Sequence, residues 1–187
     1  MVLPTKWRPE TMNPLKIVKT TPRALAVIHR ILQDKGWTIS TAESLTAGLI
    51  SGALASKSGS SAYLRGGISA YTLDAKVNLL GVNRATAEMC DCVSEVVACE
   101  MVWGAQAQFG TECVIAVTGY ADAVPAPYAR LPFVHWAVLC DQTLHSGLFK
   151  PGWGQATTRN AIRRATVNIT LCVLANHLLE LERNAAE

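Results

Sequence analysis

Short apolar runs of strand length alternate along this chain with segments of helical period, and no other feature narrows its fold as much. Val114–Val117 and Trp136–Cys140 are the richest apolar stretches. Both fall far short of the roughly 20 residues that a membrane-spanning helix needs. Ahead of them, Thr21-Pro22 supplies an N-cap and a proline at the first helical position. Leu25, Ile28, Ile31 and Leu32 follow at helical spacing, and Lys35-Gly36 closes that helix. Trp37–Thr41 then reads as a strand, and the polar turn Ala42-Glu43-Ser44-Leu45-Thr46 leads directly into a second helix.

The pattern continues. A polar loop at Ser58–Ser61 precedes a strand over Gly66–Tyr71, and Thr72 opens a helix over Leu73–Leu80 that stops at Gly81. A short helix falls within Asn83–Cys92, and Ser94-Glu95 starts a longer one that ends near Gly110. Cys113–Val117 is a buried strand running into Thr118-Gly119. Phe133–Cys140 and Thr143–Phe149 pair through a turn at Asp141-Gln142, and a last helix runs from about Thr158 to Glu182. Helices alternating with strands predict an α/β fold. It is a three-layer α/β/α sandwich whose mixed, mostly parallel sheet is covered by helices on both faces. Residues 1–20, with prolines at 4, 9 and 14, read as a poorly ordered arm, and residues 21–187 as a single domain.

Composition excludes several classes of function. Half of the residues are hydrophobic and 17% are charged, which rules out disorder throughout. The net charge of +3 is mild and its basic residues are scattered, so direct nucleic-acid binding is not expected. With neither a membrane span nor a secretory leader, the expected location is the cytoplasm. Six cysteines, at positions 90, 92, 99, 113, 140 and 172, lack zinc-ligand spacing and are read as reduced, structural thiols. No metal and no cofactor are called for. His29, His135, His145 and His177 share no motif and are read as structural.

Ser44 carries the first chemical signal. It stands at the carboxyl end of a strand, where open α/β sheets place ligands, and where free amide groups and the helix dipole stabilise an anion or oxyanion. An N-cap serine would look the same. Tyr71 and Lys76 come next, the lysine about a turn and a half into its helix. Such a pair can take a proton from a serine hydroxyl, or be a core tyrosine beside a solvated lysine. Thr118-Gly119 reads as a substrate-binding corner or a simple turn. Arg159 and Arg163, at i and i+4, suit a phosphate grip or form a solvated basic face.

Taken in order, Thr41-Ala-Glu-Ser-Leu-Thr-Ala-Gly48, Gly59-Ser-Ser-Ala-Tyr63, Gly66-Gly-Ile-Ser-Ala-Tyr71, Asp74-Ala-Lys76 and Leu80-Gly-Val82 resemble the C-terminal domain of the competence/damage-inducible protein CinA. Val93-Ser-Glu95, Val117-Thr-Gly119 and Arg159-Asn-Ala-Ile-Arg-Arg164 fit the same pattern, which spans residues 22–180. Stand-alone members of that family are nicotinamide-nucleotide amidases. The resemblance implies hydrolysis of the carboxamide of nicotinamide mononucleotide to nicotinate mononucleotide and ammonia, in pyridine-nucleotide salvage, by a homo-oligomer. It implies Ser44 as the nucleophile, Tyr71 and Lys76 as the proton-handling pair, and an oxyanion held at the start of a helix at Leu45. Thr46, Gly48, Ser60, Ser61, Gly67, Thr118, Gly119, Arg159 and Arg163 are the implied substrate-binding residues.

The chain departs from that pattern in places. Leu45 replaces a cysteine, and Thr72-Leu-Asp74 replaces Ser-Asn-Glu. Cys90-Asp-Cys92 stands where His-Gly-Ala is usual, and Tyr120-Ala-Asp-Ala-Val-Pro-Ala-Pro-Tyr128 replaces a glycine-rich loop. A glycine-rich loop lets backbone approach a ligand closely, and this one forms a stiffer, bulkier wall. The alternative reading is therefore a catalytically silent relative that binds a nucleotide or a protein partner.

Overall fold

A computed structural model describes residues 18–123, 131–151 and 158–186. The elements are α1 (Thr21–Lys35), β1 (Ile39–Glu43), α2 (Leu49–Ala55), β2 (Leu64–Ser69), α3 (Leu73–Leu80), α4 (Arg84–Met89), α5 (Glu95–Phe109), β3 (Cys113–Tyr120), β4 (Phe133–Cys140), β5 (Thr143–Phe149) and α6 (Arg159–Ala186). A single turn of 3₁₀ helix, Ser60–Ala62, precedes β2. The sheet order is β2-β1-β3-β4-β5. β1 runs parallel to β2 and β3, and β4 alone is reversed, pairing antiparallel with both β3 and β5. The expected mixed sheet with helices on both faces is therefore present.

Alternation along the strands divides the interior in two. Ile39, Cys113, Ile115, Val117, Val134, Trp136 and Val138 join α1, α2 and α6 in one core. Ala42, Val114, Ala116, Ala137 and Leu139 join α3, α4 and α5 in the other. The central strands are thus buried on both faces, as their near-continuous apolar runs require. Residues 124–130 and 152–157 lie outside the described part, and so do residues 1–17 of the expected arm. Val18 is buried against α6, exchanging hydrogen bonds with the Asn176 side chain at 3.0 and 3.2 Å.

Several boundaries differ from the sequence expectation. The N-cap position of α1 is Thr20, and the hydroxyl of Thr21, the expected cap, donates to Asn168 of α6 instead. β1 lies two residues later than Trp37–Thr41, and β2 two residues earlier than Gly66–Tyr71. The largest difference is at α2, which begins at Leu49 and not at Leu45. The Asp141-Gln142 turn forms as expected, both residues in the left-handed region that tight hairpins use.

One contact sets where α3 sits. A Cβ on Gly104 of α5 would stand 2.0 Å from the Leu80 carbonyl oxygen, so the glycine lets the end of α3 rest directly on α5. Gly104→Ala is expected to force these helices apart and cost roughly 1–3 kcal/mol. A fall in Tm of several degrees in a thermal melt is the expected reading; an unchanged melt would show that α3 is positioned by something else.

Candidate active site

β1 ends at Glu43, and the chain then turns through Ser44–Gly48 before α2 begins. What fixes this turn is the Glu43 carboxylate. It is buried, and it accepts hydrogen bonds from the backbone amides of Gly48, Ile50 and Ser51 at 2.9, 3.1 and 2.9 Å. The hydroxyls of Ser51 and Thr41 add two more, at 3.0 and 3.1 Å. Glu43 therefore does the capping that the alternative reading gave to Ser44, and it takes up amides at the start of α2. The turn also uses left-handed backbone at Ala47 (φ 48°) and Gly48 (φ 92°), the second at a residue that adopts it without strain.

Ser44 is left free for another partner. Its amide donates to the Val117 carbonyl of β3 at 3.0 Å, and its Oγ lies 3.0 Å from the Nζ of Lys76. Lys76 comes from α3, where the Thr72 side chain caps the helix by accepting from the Ala75 amide. Leu73, Lys76 and Leu80 share one helix face by their spacing, and that face is turned inward: Lys76 is only 2% exposed. Burial pushes its ammonium pKa below the ordinary lysine value, and the nearby Cys92 and Asp91 oppose that shift without cancelling it.

Around this pair lies a cleft of about 470 Å³, lined by Ser44, Leu45, Tyr71, Leu73, Lys76, Asp91, Cys92, Val93, Thr118, Gly119, Tyr120, Ala121, Asp122 and Arg159. It opens at the carboxyl ends of β1 and β3, as expected for an open α/β sheet. The Thr118 hydroxyl donates to the Cys92 carbonyl at 2.7 Å and so fastens the end of β3 to the 90–93 turn. Asp91 and Cys92 both hold left-handed backbone there. The Tyr120 hydroxyl donates to the Asp91 carboxylate at 2.6 Å. Arg159, at the start of α6, donates to the Tyr71 hydroxyl and to the Asp122 carboxylate.

The structure thus brings Ser44, Tyr71, Lys76, Thr118, Gly119 and Arg159 to one cleft. Lys76 donates directly to Ser44, and the Tyr71 hydroxyl accepts from Arg159. Other expected residues stand elsewhere. Arg163 donates through Nε to the Leu45 carbonyl and through a terminal nitrogen to that of Thr46, both at 2.9 Å. It braces the turn and does not form a pair with Arg159. Thr46 is fully buried outside the cleft lining, and Gly48 gives its amide to Glu43. Ser60 and Ser61 precede β2, whose first residue pairs with Ile39, so they lie at the opposite end of the sheet from Ser44. Gly67 leaves room for the Glu43 network, since a Cβ there would stand 2.3 Å from Thr41 Oγ1.

Asp91, Cys92, Tyr120 and Asp122 line the cleft without having been singled out as site residues. They fall in the two segments that depart from the family pattern, and those segments touch through Tyr120 and Asp91. Among the described residues, no group of three or more His, Cys, Asp or Glu side chains is arranged to hold a metal ion, and no helix is long and apolar enough to cross a membrane.

Comparison with known proteins agrees with this architecture. A family model for the CinA C-terminal domain matches residues 22–178. A CinA-like protein of Rippkaea orientalis is 46% identical over 154 residues, covering 82% of this chain and 37% of that protein. A putative competence-damage inducible protein of Desulforamulus reducens is 34% identical over the same length, covering 36% of its own. The chain therefore spans little more than a third of those two relatives. Among solved structures, competence/damage inducible protein CihA of Agrobacterium tumefaciens is 33% identical with a TM-score of 0.74, over 82% of this chain and 93% of that one. Competence damage-inducible protein A of Klebsiella pneumoniae is 27% identical with a TM-score of 0.78, over 86% and 98%.

Burial of Lys76 carries a stability cost that its charge creates. Its folded-state pKa is depressed, so the folded protein binds fewer protons than the unfolded chain between that value and the ordinary lysine value, and wild-type stability rises with pH across this window. Lys76→Met is expected to raise Tm at pH 7, with a gain that shrinks as the pH approaches 10. Melts of both proteins at several pH values check this; a gain independent of pH would mean that Lys76 is not held as a desolvated amine.

Proposed function

We propose, from the premise that this chain belongs to the CinA C-terminal domain family, that it is a serine amidohydrolase whose nucleophile is Ser44 and whose base is Lys76. The observation that carries this reading is the 3.0 Å approach of a buried, pKa-lowered amine to a serine hydroxyl at the floor of a cleft. A lysine in its neutral form has a lone pair to accept the Ser44 proton, which burial favours. The alkoxide attacks the carbonyl carbon of a primary carboxamide. Collapse of the tetrahedral intermediate breaks the C–N bond, and Lys76 returns its proton to the departing ammonia. Water then attacks the acyl-enzyme as Lys76 takes its proton. Collapse expels Ser44, which regains that proton from Lys76 as the acid product is released and ionises to the carboxylate.

The oxyanion is met by the amides of Leu45 and Thr46, because those of Ser44 and Ala47 donate to the Val117 and Ser44 carbonyls and Glu43 accepts from amides at the start of α2. Arg163 helps by tying the carbonyls of Leu45 and Thr46 outward and so fixing the orientation of their peptide groups. Tyr71 acts at the mouth of the cleft, where its hydroxyl accepts from Arg159. The substrate that the family resemblance supplies is nicotinamide mononucleotide, with nicotinate mononucleotide and ammonia as products. A cleft wall rebuilt around Tyr120 and Asp91 favours the second reading, a protein that binds such a ligand without turning it over.

Ammonia release from nicotinamide mononucleotide separates the two. The wild-type protein is expected to release it, and Ser44→Ala and Lys76→Ala are each expected to lower kcat by roughly 10²-fold or more. The wild-type rate should fall as the pH drops through the depressed pKa of Lys76, because only the neutral amine accepts the proton. A folded wild type that releases no ammonia from this or related carboxamides would leave the binding reading in place of the amidase.

A further inference from the structure

We propose that Asp122 is a specificity-determining residue, an internal carboxylate that competes with a substrate phosphate for the guanidinium of Arg159. The inference rests on the cleft being the substrate site and adds to the amidase reading the way in which this chain treats an anionic substituent. Two cationic side chains line the cleft among the described residues, Lys76 and Arg159. Lys76 is buried at the floor and engaged with Ser44. Arg159 stands at the mouth with 45% of its side chain exposed, where a substituent carried away from the reacting carboxamide would reach it. Arg163, one turn further along α6, is committed to the carbonyls of Leu45 and Thr46 and adds no second guanidinium to the cleft.

Arg159 is therefore the group available to a phosphate, and it is already engaged. One terminal nitrogen donates to Asp122 and the other to the Tyr71 hydroxyl. An incoming phosphate recognised by the same planar fork would seek those donors in a bidentate pair. To bind, it must displace the Asp122 carboxylate from the guanidinium or accept a like charge beside it, and either lowers its affinity. The Asp91 carboxylate in the same lining adds to the negative charge. Asp122 follows Thr118-Gly119 by three residues, in the segment where this chain replaces the glycine-rich loop, so the competition belongs to this chain's own cleft wall.

Removal of the charge tests the competition. Kd is measured by titration calorimetry for nicotinamide mononucleotide and for its unphosphorylated nucleoside, with wild type, Asp122→Asn and Asp122→Glu, each checked by its melt. Inorganic phosphate alone is titrated against the same three proteins. Asp122→Asn is expected to improve the mononucleotide-to-nucleoside affinity ratio roughly tenfold, with a gain that shrinks at high salt. It should also tighten binding of inorganic phosphate, while Asp122→Glu keeps wild-type behaviour. An unchanged or lowered ratio, with phosphate bound no more tightly by Asp122→Asn, would overturn the proposal and leave Asp122 as a residue that only positions Arg159. Binding without ammonia release would sink the amidase reading and leave this one standing. If neither nicotinamide compound binds, the substrate assignment falls, and the phosphate titration alone decides the role of Asp122.

Discussion

The buried carboxylate of Glu43 is the constraint on which the site depends. A charge taken out of water is tolerated only when fixed donors replace its hydration. Here three amides around the start of α2 and two hydroxyls do so. The result is a strand-to-helix turn with no freedom at either end. The preceding strand is held by pairing with β2 and β3, and the following helix is held by the carboxylate. Ser44 lies between them and need not serve as a cap. Gly67 belongs to the same arrangement, since any side chain at that point of β2 would enter the space of Thr41 and Ser51.

The second half of the site comes from the other side of the sheet. Lys76 reaches Ser44 because α3 is drawn tightly onto α5 at Gly104, and because Leu73 and Leu80 turn the same helix face inward. An apolar side chain at position 76 would suit that environment better than an amine. The lysine is thus a local conflict between packing and chemistry, and such conflicts are characteristic of functional positions. Its depressed pKa and its proposed role as proton acceptor have one physical origin, the loss of water around the amine.

The layers of the fold were legible because each rests on a local signal. Val114–Val117 and Trp136–Cys140 are continuous apolar runs and become strands buried on both faces. Thr72 and Ser94 are side-chain caps and open α3 and α5. Ser44 carried the same signal, which left a cap open beside the chemical reading, and the Glu43 carboxylate does that capping instead. Ala47-Gly48, with both residues in left-handed backbone, marked the later start of α2. The inward aim of Lys76 was readable from its spacing with Leu73 and Leu80. The outward brace of Arg163 was not, because its partners lie 118 and 117 residues away and no local pattern reports them. Ser60 and Ser61 were grouped with the site by motif alone, and the parallel register of β2 with β1 puts them at the far end of the sheet.

That long-range brace bears on when the molecule becomes competent during its own synthesis. Ser44 and Lys76 are translated early, and the sheet that aligns them closes with β3. Arg163, however, is translated 118 residues after Leu45. At about 5–20 residues per second, the peptide groups of the Ser44–Gly48 turn wait on the order of ten seconds for the tether from Arg163. Ser44 and Lys76 can meet in the nascent chain before the carbonyls of Leu45 and Thr46 have been tied in place. On the proposed amidase reading, a partly made chain carries its chemical groups without the frame that directs them until the last helix has docked.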